Sequence, residues 1–226
     1  MIKKYKKIFY FAFLSILIQQ PMAESRIGSG KCPLCQDAYL GNLKSIKDKI
    51  SKKYDVNESD ENNVTALFSA IEGGNTKIVK LLIKHGANVN EKEAKSPPLL
   101  MAALFAHYDI VSILIKNKAN VNATAKNGTS VLMAAIAGNY QEKNYKTIDL
   151  ILKHDKNINH QSKDGMTALM SAGFGGYGKI AKQLLQKGAD ANIKDKNNKR
   201  AEDFAEESGY TKVAKFIKRH RQKQNK

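Results

Sequence analysis

From residue 65 onward, apolar and polar positions alternate in a fixed rhythm. Ile78, Val79, Leu82 and Ile83 stand at i, i+1, i+4 and i+5, which makes one stripe on an α-helix. Ahead of them a shorter segment, Thr65-Ala66-Leu67 through Ala70, is small and apolar, and Gly74-Asn75 separates the two. The pattern predicts two short helices joined by a tight turn. Thr65 suits the N-cap of the first, where its hydroxyl can accept an early backbone N–H. Gly86 suits a left-handed cap on the second. The wording then recurs. Openings at Thr65, Pro97, Thr129 and Thr167 are spaced by 32, 32 and 38 residues. Closings read Gly86-Ala87-Asn88-Val89-Asn90, Lys118 to Asn122, Asn157-Ile158-Asn159 and Gly188 to Asn192.

A frame of 33 residues exposes two weaker copies. Stepping back from Thr65, Leu67, Gly74, Asn75 and Asn90 lands on Cys32, Leu34, Gly41, Asn42 and Asn57. Stepping forward from Ala172, Gly176, Tyr177 and Ile180 lands on Ala205, Gly209, Tyr210 and Val213. That makes six copies, with the charged outer ones expected as caps. Residues 32–218 therefore resemble the ankyrin-repeat family. The resemblance implies an all-α solenoid of stacked helix pairs with protruding hairpin-like loops. The physics agrees, because one pair cannot bury its apolar stripe alone. Small residues (Ala70, Ala102, Ala134, Ala172) let neighbouring pairs approach closely. Pro98 fits a first helical position, where its missing N–H costs nothing.

The ends read differently. Lys3, Lys4, Lys6 and Lys7 precede an apolar run from Ile8 to Ile18 broken only by Ser15, and Ala23 offers a small residue for cleavage. Residues 1–23 read as a bacterial-type secretory signal peptide, with an uncleaved anchor as the other reading. Residues 24–31 are a linker and 219–226 a basic, solvated tail. The expected location is the periplasm or the outside. Formal charge is +17, and +13 remains once the four lysines of residues 1–23 are removed. The loop at Glu58, Asp60 and Glu61 is acidic, whereas the loop from Lys194 to Arg200 is basic. No nucleic-acid module with stacking aromatics is present, so no nucleic-acid partner is expected. Membrane contact is expected only through an uncleaved signal segment, and the chain is expected to act as a monomer.

Cys32-x-x-Cys35 is the one motif that could carry chemistry. It fits a local disulfide or inert pair at a helix start, a redox pair, or part of a metal site. The second ligand pair of a zinc site is missing, so no metal is expected. Haem attachment would want histidine where Gln36 stands. His85, His107, His154, His160 and His220 fall on turns, helix ends and the tail. Gly173, Gly175, Gly176 and Gly178 lack the Lys-Ser/Thr that a phosphate loop needs. No cofactor and no catalysis are expected.

The positive signal is a row of apolar residues. By resemblance, the two residues before the turn glycine face the concave groove. Here they are Glu72-Gly73, Leu104-Phe105, Ile136-Ala137 and Phe174-Gly175. Leu104, Phe105, Ile136 and Phe174 thus read as an exposed stripe of the kind that binds a protein. The longer third spacing places an insertion of about five residues near Tyr140 to Lys146 on a loop tolerant of length, and Tyr140 joins the candidate set. The function implied is non-catalytic protein–protein interaction, with a redox or metal helper using Cys32 and Cys35 as the alternative.

Overall fold

The computed structural model describes residues 32–91, 96–138 and 144–225. The expected signal segment and linker, Asn139 and Tyr140 lie outside them. Among the described residues, twelve helices form six consecutive pairs: α1 (Cys35–Leu40) with α2 (Leu43–Ser51), α3 (Ala66–Glu72) with α4 (Thr76–Lys84), α5 (Pro98–Leu104) with α6 (Tyr108–Lys116), α7 (Val131–Ala137) with α8 (Tyr145–His154), α9 (Ala168–Gly175) with α10 (Gly178–Gln186), and α11 (Ala201–Glu207) with α12 (Thr211–Gln224). Each first helix packs on the next first helix, and α2, α4, α6 and α8 run on in the same way behind them. No β-strand occurs among the described residues. Two isolated bridges, Ser59 to Thr65 and Thr124 to Ser130, narrow the necks of finger loops.

Capping side chains fix the start of each first helix. Thr65, Ser130 and Thr167 accept the N–H groups of Phe68, Met133 and Met170 at 3.3, 3.2 and 3.2 Å. Pro97 holds the equivalent place, with Pro98 as the first helical residue. The cap of the fourth repeat is therefore Ser130, not Thr129. Thr129 belongs to the finger neck, where its carbonyl accepts Ala125 N–H at 2.9 Å. Repeat four is read one residue early from sequence.

The buried set follows the repeat. Leu34, Leu67, Leu99, Leu132 and Leu169 occupy one position and are all at most 1% exposed. Ile78, Val79 and Leu82 do the same for the second helices. Alanines fill the seam between first helices, and Ala70, Ala102, Ala135 and Ala172 are fully buried. Closer still, a Cβ on Gly138 would stand 2.0 Å from the Leu104 carbonyl oxygen, so only glycine fits there.

Asparagines tie the loops together. The Asn57 side chain donates to Gly86 O at 3.0 Å and accepts Asn88 N–H at 2.8 Å. Asn90 repeats this on Lys118 and Asn120 at 3.0 and 2.8 Å, and Asn159 on Gly188 and Asp190 at 3.4 and 2.8 Å. Each of these three loops is thus hydrogen-bonded to the next by an amide that satisfies both a carbonyl and an N–H left over at a helix end.

The basic tail is a correction. Helix α12 runs without a break to Gln224, so residues 219–224 are helical rather than a free tail. Where earlier repeats place Gly86 or Gly188 in the left-handed region, this one has Arg221, and the helix continues. Arg221 turns back onto Glu202, and Gln224 donates to Ala189 O and accepts Ala191 N–H at 3.0 and 3.1 Å.

Candidate binding surface

The C-terminal ends of the first helices, together with the finger loops, form the face on which the candidate residues fall. The caps set the register, and the row that begins at Glu72 continues through Leu104, Ala137 and Phe174. Phe105 and Phe174 are half-buried, with part of each side chain at the surface. The Phe105 ring lies 5.9 Å from that of His107, tilted by 42°.

Two of the expected stripe residues are core. Ile136 is fully buried and Leu104 only 2% exposed. Ile136 falls inside because the cap at Ser130 moves it to the inward position of Ile71, leaving Ala137 on the row. Leu104 is on the row, but Gly138 of the next repeat presses its backbone against the Leu104 backbone and closes that end of α5. The expected four-residue exposed stripe therefore reduces to Phe105 and Phe174. Met101, Met133 and Met170 are buried.

The first repeat supplies what the sequence reading missed. Tyr39 and Leu40, at the positions of Glu72 and Gly73, are 37% and 59% exposed. The 33-residue frame already aligned them, and only the degenerate wording around them hid the pattern. The inter-helix position holds Asn75, His107, Asn144, Tyr177 and Tyr210, each the N-cap of a second helix. Asn75 donates to Ala38 O and Tyr39 O at 2.8 and 2.7 Å, and Asn144 to Ala103 O and Ala135 O at 3.1 and 2.8 Å. Asn144 reaches back to Ala103 O as Asn75 does to Ala38 O, so by register the extra length falls between Gly138 and Asn144. His107 sits against Gly74, and burial holds its imidazole below the usual histidine range.

Finger tips are shaped by carboxylates. Asp60 accepts the N–H groups of Asn62 and Val64 at 2.8 and 3.0 Å, and Asp195 those of Asn197 and Lys199 at 2.9 and 2.8 Å. These are Asx-type turns that spend the acid on backbone. Cys32 and Cys35 are joined by a disulfide with Cα atoms 5.4 Å apart. Cys32 is buried, and the Cys35 sulfur lies 3.4 Å from the Val64 carbonyl oxygen of the next repeat. Among the described residues no group of three or more His, Cys, Asp or Glu is arranged to hold a metal.

Comparison with known proteins agrees with this geometry. The family described as ankyrin repeats (3 copies) matches residues 34–125, 99–195 and 132–226. The chain belongs to the ankyrin-repeat family, whose members generally serve as protein–protein interaction modules. Short stretches resemble ankyrin repeat protein FPV245 of Fowlpox virus, 42% identical over 62 residues, and alpha-latrocrustotoxin-Lt1a of Latrodectus tredecimguttatus, 36% identical over 69 residues. These cover 27% and 30% of this chain but only 14% and 5% of those proteins. A solved structure covers far more. A chain in the complex of the Bd0816 predatory endopeptidase from Bdellovibrio bacteriovorus with immunity protein Bd3460 is 32% identical, with a TM-score of 0.72. The match spans 81% of this chain and 96% of that one.

Proposed function

We propose that the chain is an exported, non-catalytic binding protein that holds a folded protein partner against its first-helix face and finger loops. The observation that carries this is the near end-to-end likeness to a chain from an endopeptidase–immunity protein complex, at 32% identity. The partner class that follows is an exported peptidase of the same cell, covered by the solenoid rather than cleaved or modified by it. Partly exposed Phe105 and Phe174 supply apolar anchors of the kind that dominate interfaces. Tyr39 and Leu40 extend the surface to the first repeat. Export is supported by the lysine-rich, apolar segment at residues 1–23 and by the Cys32–Cys35 disulfide, which an oxidising compartment maintains.

Titration calorimetry of the chain against the exported endopeptidases of its own genome tests the proposal. Stoichiometric binding, with loss of peptidase activity and weakening by Phe105→Ala and Phe174→Ala, is the expected result. Absence of binding to all of them, or recovery of the chain from the cytoplasm with residues 1–23 intact, overturns it.

A further inference from the structure

Charge on the solvent face of the second helices lies in rows. Aligned by their N-caps, the first outward position holds Lys44, Lys77, Lys146, Lys179 and Lys212, with Asp109 the departure. One turn on stand Lys47, Lys80, Lys182 and Lys215, and a further turn on Lys84, Lys116, Lys153 and Arg219. All are exposed, and none pairs with a carboxylate among the described residues. The acids on these helices are few. Asp48 is held by Lys52, and Asp149 by Gln183. Packed helices lie about 10 Å apart, so the repeat turns sequence spacing into a grid of cations.

Apolar side chains stand between the rows in four of the six repeats, with Asp48 and Gln183 at that position in the other two. Leu81, Ile113 and Leu150 are half-buried at one repeat position, and Phe216, at the same position in α12, is 37% exposed. Between α2 and α4 the face dips into a shallow depression of about 320 Å³, with Leu43 and Leu81 as its floor and Lys47, Lys77, Lys80 and Lys84 as its rim.

We propose that this second-helix face docks on an anionic phospholipid bilayer, leaving the opposite face free for a protein. Headgroup phosphates meet the lysine rows, and Leu81 and Phe216 between them reach the boundary of the acyl region. Lysine stems lie along apolar surface while their ammonium groups stay in water, which suits that boundary. Nucleic acid would satisfy the cations but leave the apolar side chains unused, and among the described residues no row of exposed aromatics is there to stack on bases. No described helix is long and apolar enough to cross a membrane, so the contact is peripheral. It is separate from residues 1–23 and independent of the partner proposed above.

Sedimentation of the full chain with phosphatidylglycerol/phosphatidylcholine vesicles, against phosphatidylcholine alone, tests this. The phosphatidylglycerol-dependent excess removes any contribution of residues 1–23 that ignores headgroup charge. We expect an excess that disappears in about 0.5 M salt, where screening is nearly complete. The combined variant Lys77→Glu, Lys80→Glu, Lys212→Glu, Lys215→Glu lowers partition about a hundredfold or more, since each lysine near an anionic surface contributes about fivefold. The finger set Lys126→Glu, Lys163→Glu, Lys194→Glu, Lys196→Glu has the same net charge and leaves partition within about threefold, because screening confines charge effects to nearby surface. Phe216→Ser weakens partition severalfold. Should the glutamate variant melt early, the matching glutamine variant replaces it. No excess on anionic vesicles, or equal loss in both sets, overturns the proposal. So does binding of a short DNA duplex through the same lysines without any vesicle excess.

Discussion

Arg221 holds Glu202 through three hydrogen bonds, of 3.0 and 3.1 Å from Nε and 2.7 Å from Nη2, at the position where five earlier repeats bury a leucine. Glu202 is 6% exposed. The pair raises the Arg221 guanidinium further above its ordinary range through the hydrogen bonds it donates. A charge at a leucine position is tolerable only with such a partner. Glu202→Ala is expected to cost about 1–3 kcal/mol in urea unfolding. Glu202→Leu with Arg221→Met is expected to match or exceed the parent. An unchanged midpoint for Glu202→Ala would show that the pair holds nothing.

The asparagine ladder makes a position-specific forecast. Asn90 bonds across to the next loop, whereas α12 runs on as helix where the equivalent loop would lie, and the Asn192 amide donates within its own loop to Asp190 Oδ1 at 3.1 Å. Asn90→Ala should destabilise by about 1–2 kcal/mol, and Asn192→Ala by under about 0.5 kcal/mol. Paired melting curves decide it, and equal effects count against the ladder.

His107 predicts a pH dependence. Its folded pKa lies below the unfolded value because burial disfavours the imidazolium. The unfolded chain takes the proton first, so stability falls as pH drops below about 6.5 and is unaffected above it. His107→Asn, the residue used at Asn75, should flatten that part of the curve. Denaturation midpoints of both proteins from pH 8 to about pH 5 provide the comparison, and parallel curves would remove His107 as the cause.

Core and surface should separate cleanly among the aromatic and aliphatic candidates. Leu82→Ala and Ile136→Ala are expected to cost about 2–5 kcal/mol each through cavities. Phe105→Ala and Phe174→Ala should weaken partner binding by about 1–3 kcal/mol and disturb the fold less. If the two phenylalanine variants unfold as readily as Leu82→Ala, the surface role is wrong.

The disulfide closes a loop separated by three residues, so it constrains the unfolded chain little. Cys32→Ser with Cys35→Ser should lower stability by about 1–2 kcal/mol and leave partner binding intact. Lost binding with an unchanged melt would instead give the cysteines a chemical role.

The helix pairs were legible because Thr65, Gly74, Leu82 and Gly86 each state a local rule that the backbone obeys. The register of repeat four was not, since Thr129 and Ser130 are both competent caps and only the hydrogen bond from Met133 N–H chooses between them. That single step put Ile136 on the wrong side. Leu104 was misread for a different reason. Its burial depends on Gly138, a residue of the next repeat, and no pattern within one repeat reports it. The end of the chain misled through composition. Lys218 to Lys223 reads as solvated charge, yet the absence of glycine at Arg221 lets the helix continue and fold its polar groups back. The asparagines of the ladder were in plain view as a recurring word, but their reach into the next loop is a tertiary fact.

Gln224 and Arg221 also bear on how such an array can lengthen over evolutionary time. Duplication at the C-terminal end would need Arg221 to become a left-handed glycine and Asn192 to find a loop to hold. Copies inserted between existing pairs meet a ready seam of alanines and a waiting asparagine on either side. An extra copy is therefore expected to be tolerated better between existing pairs than directly after α12 as it stands.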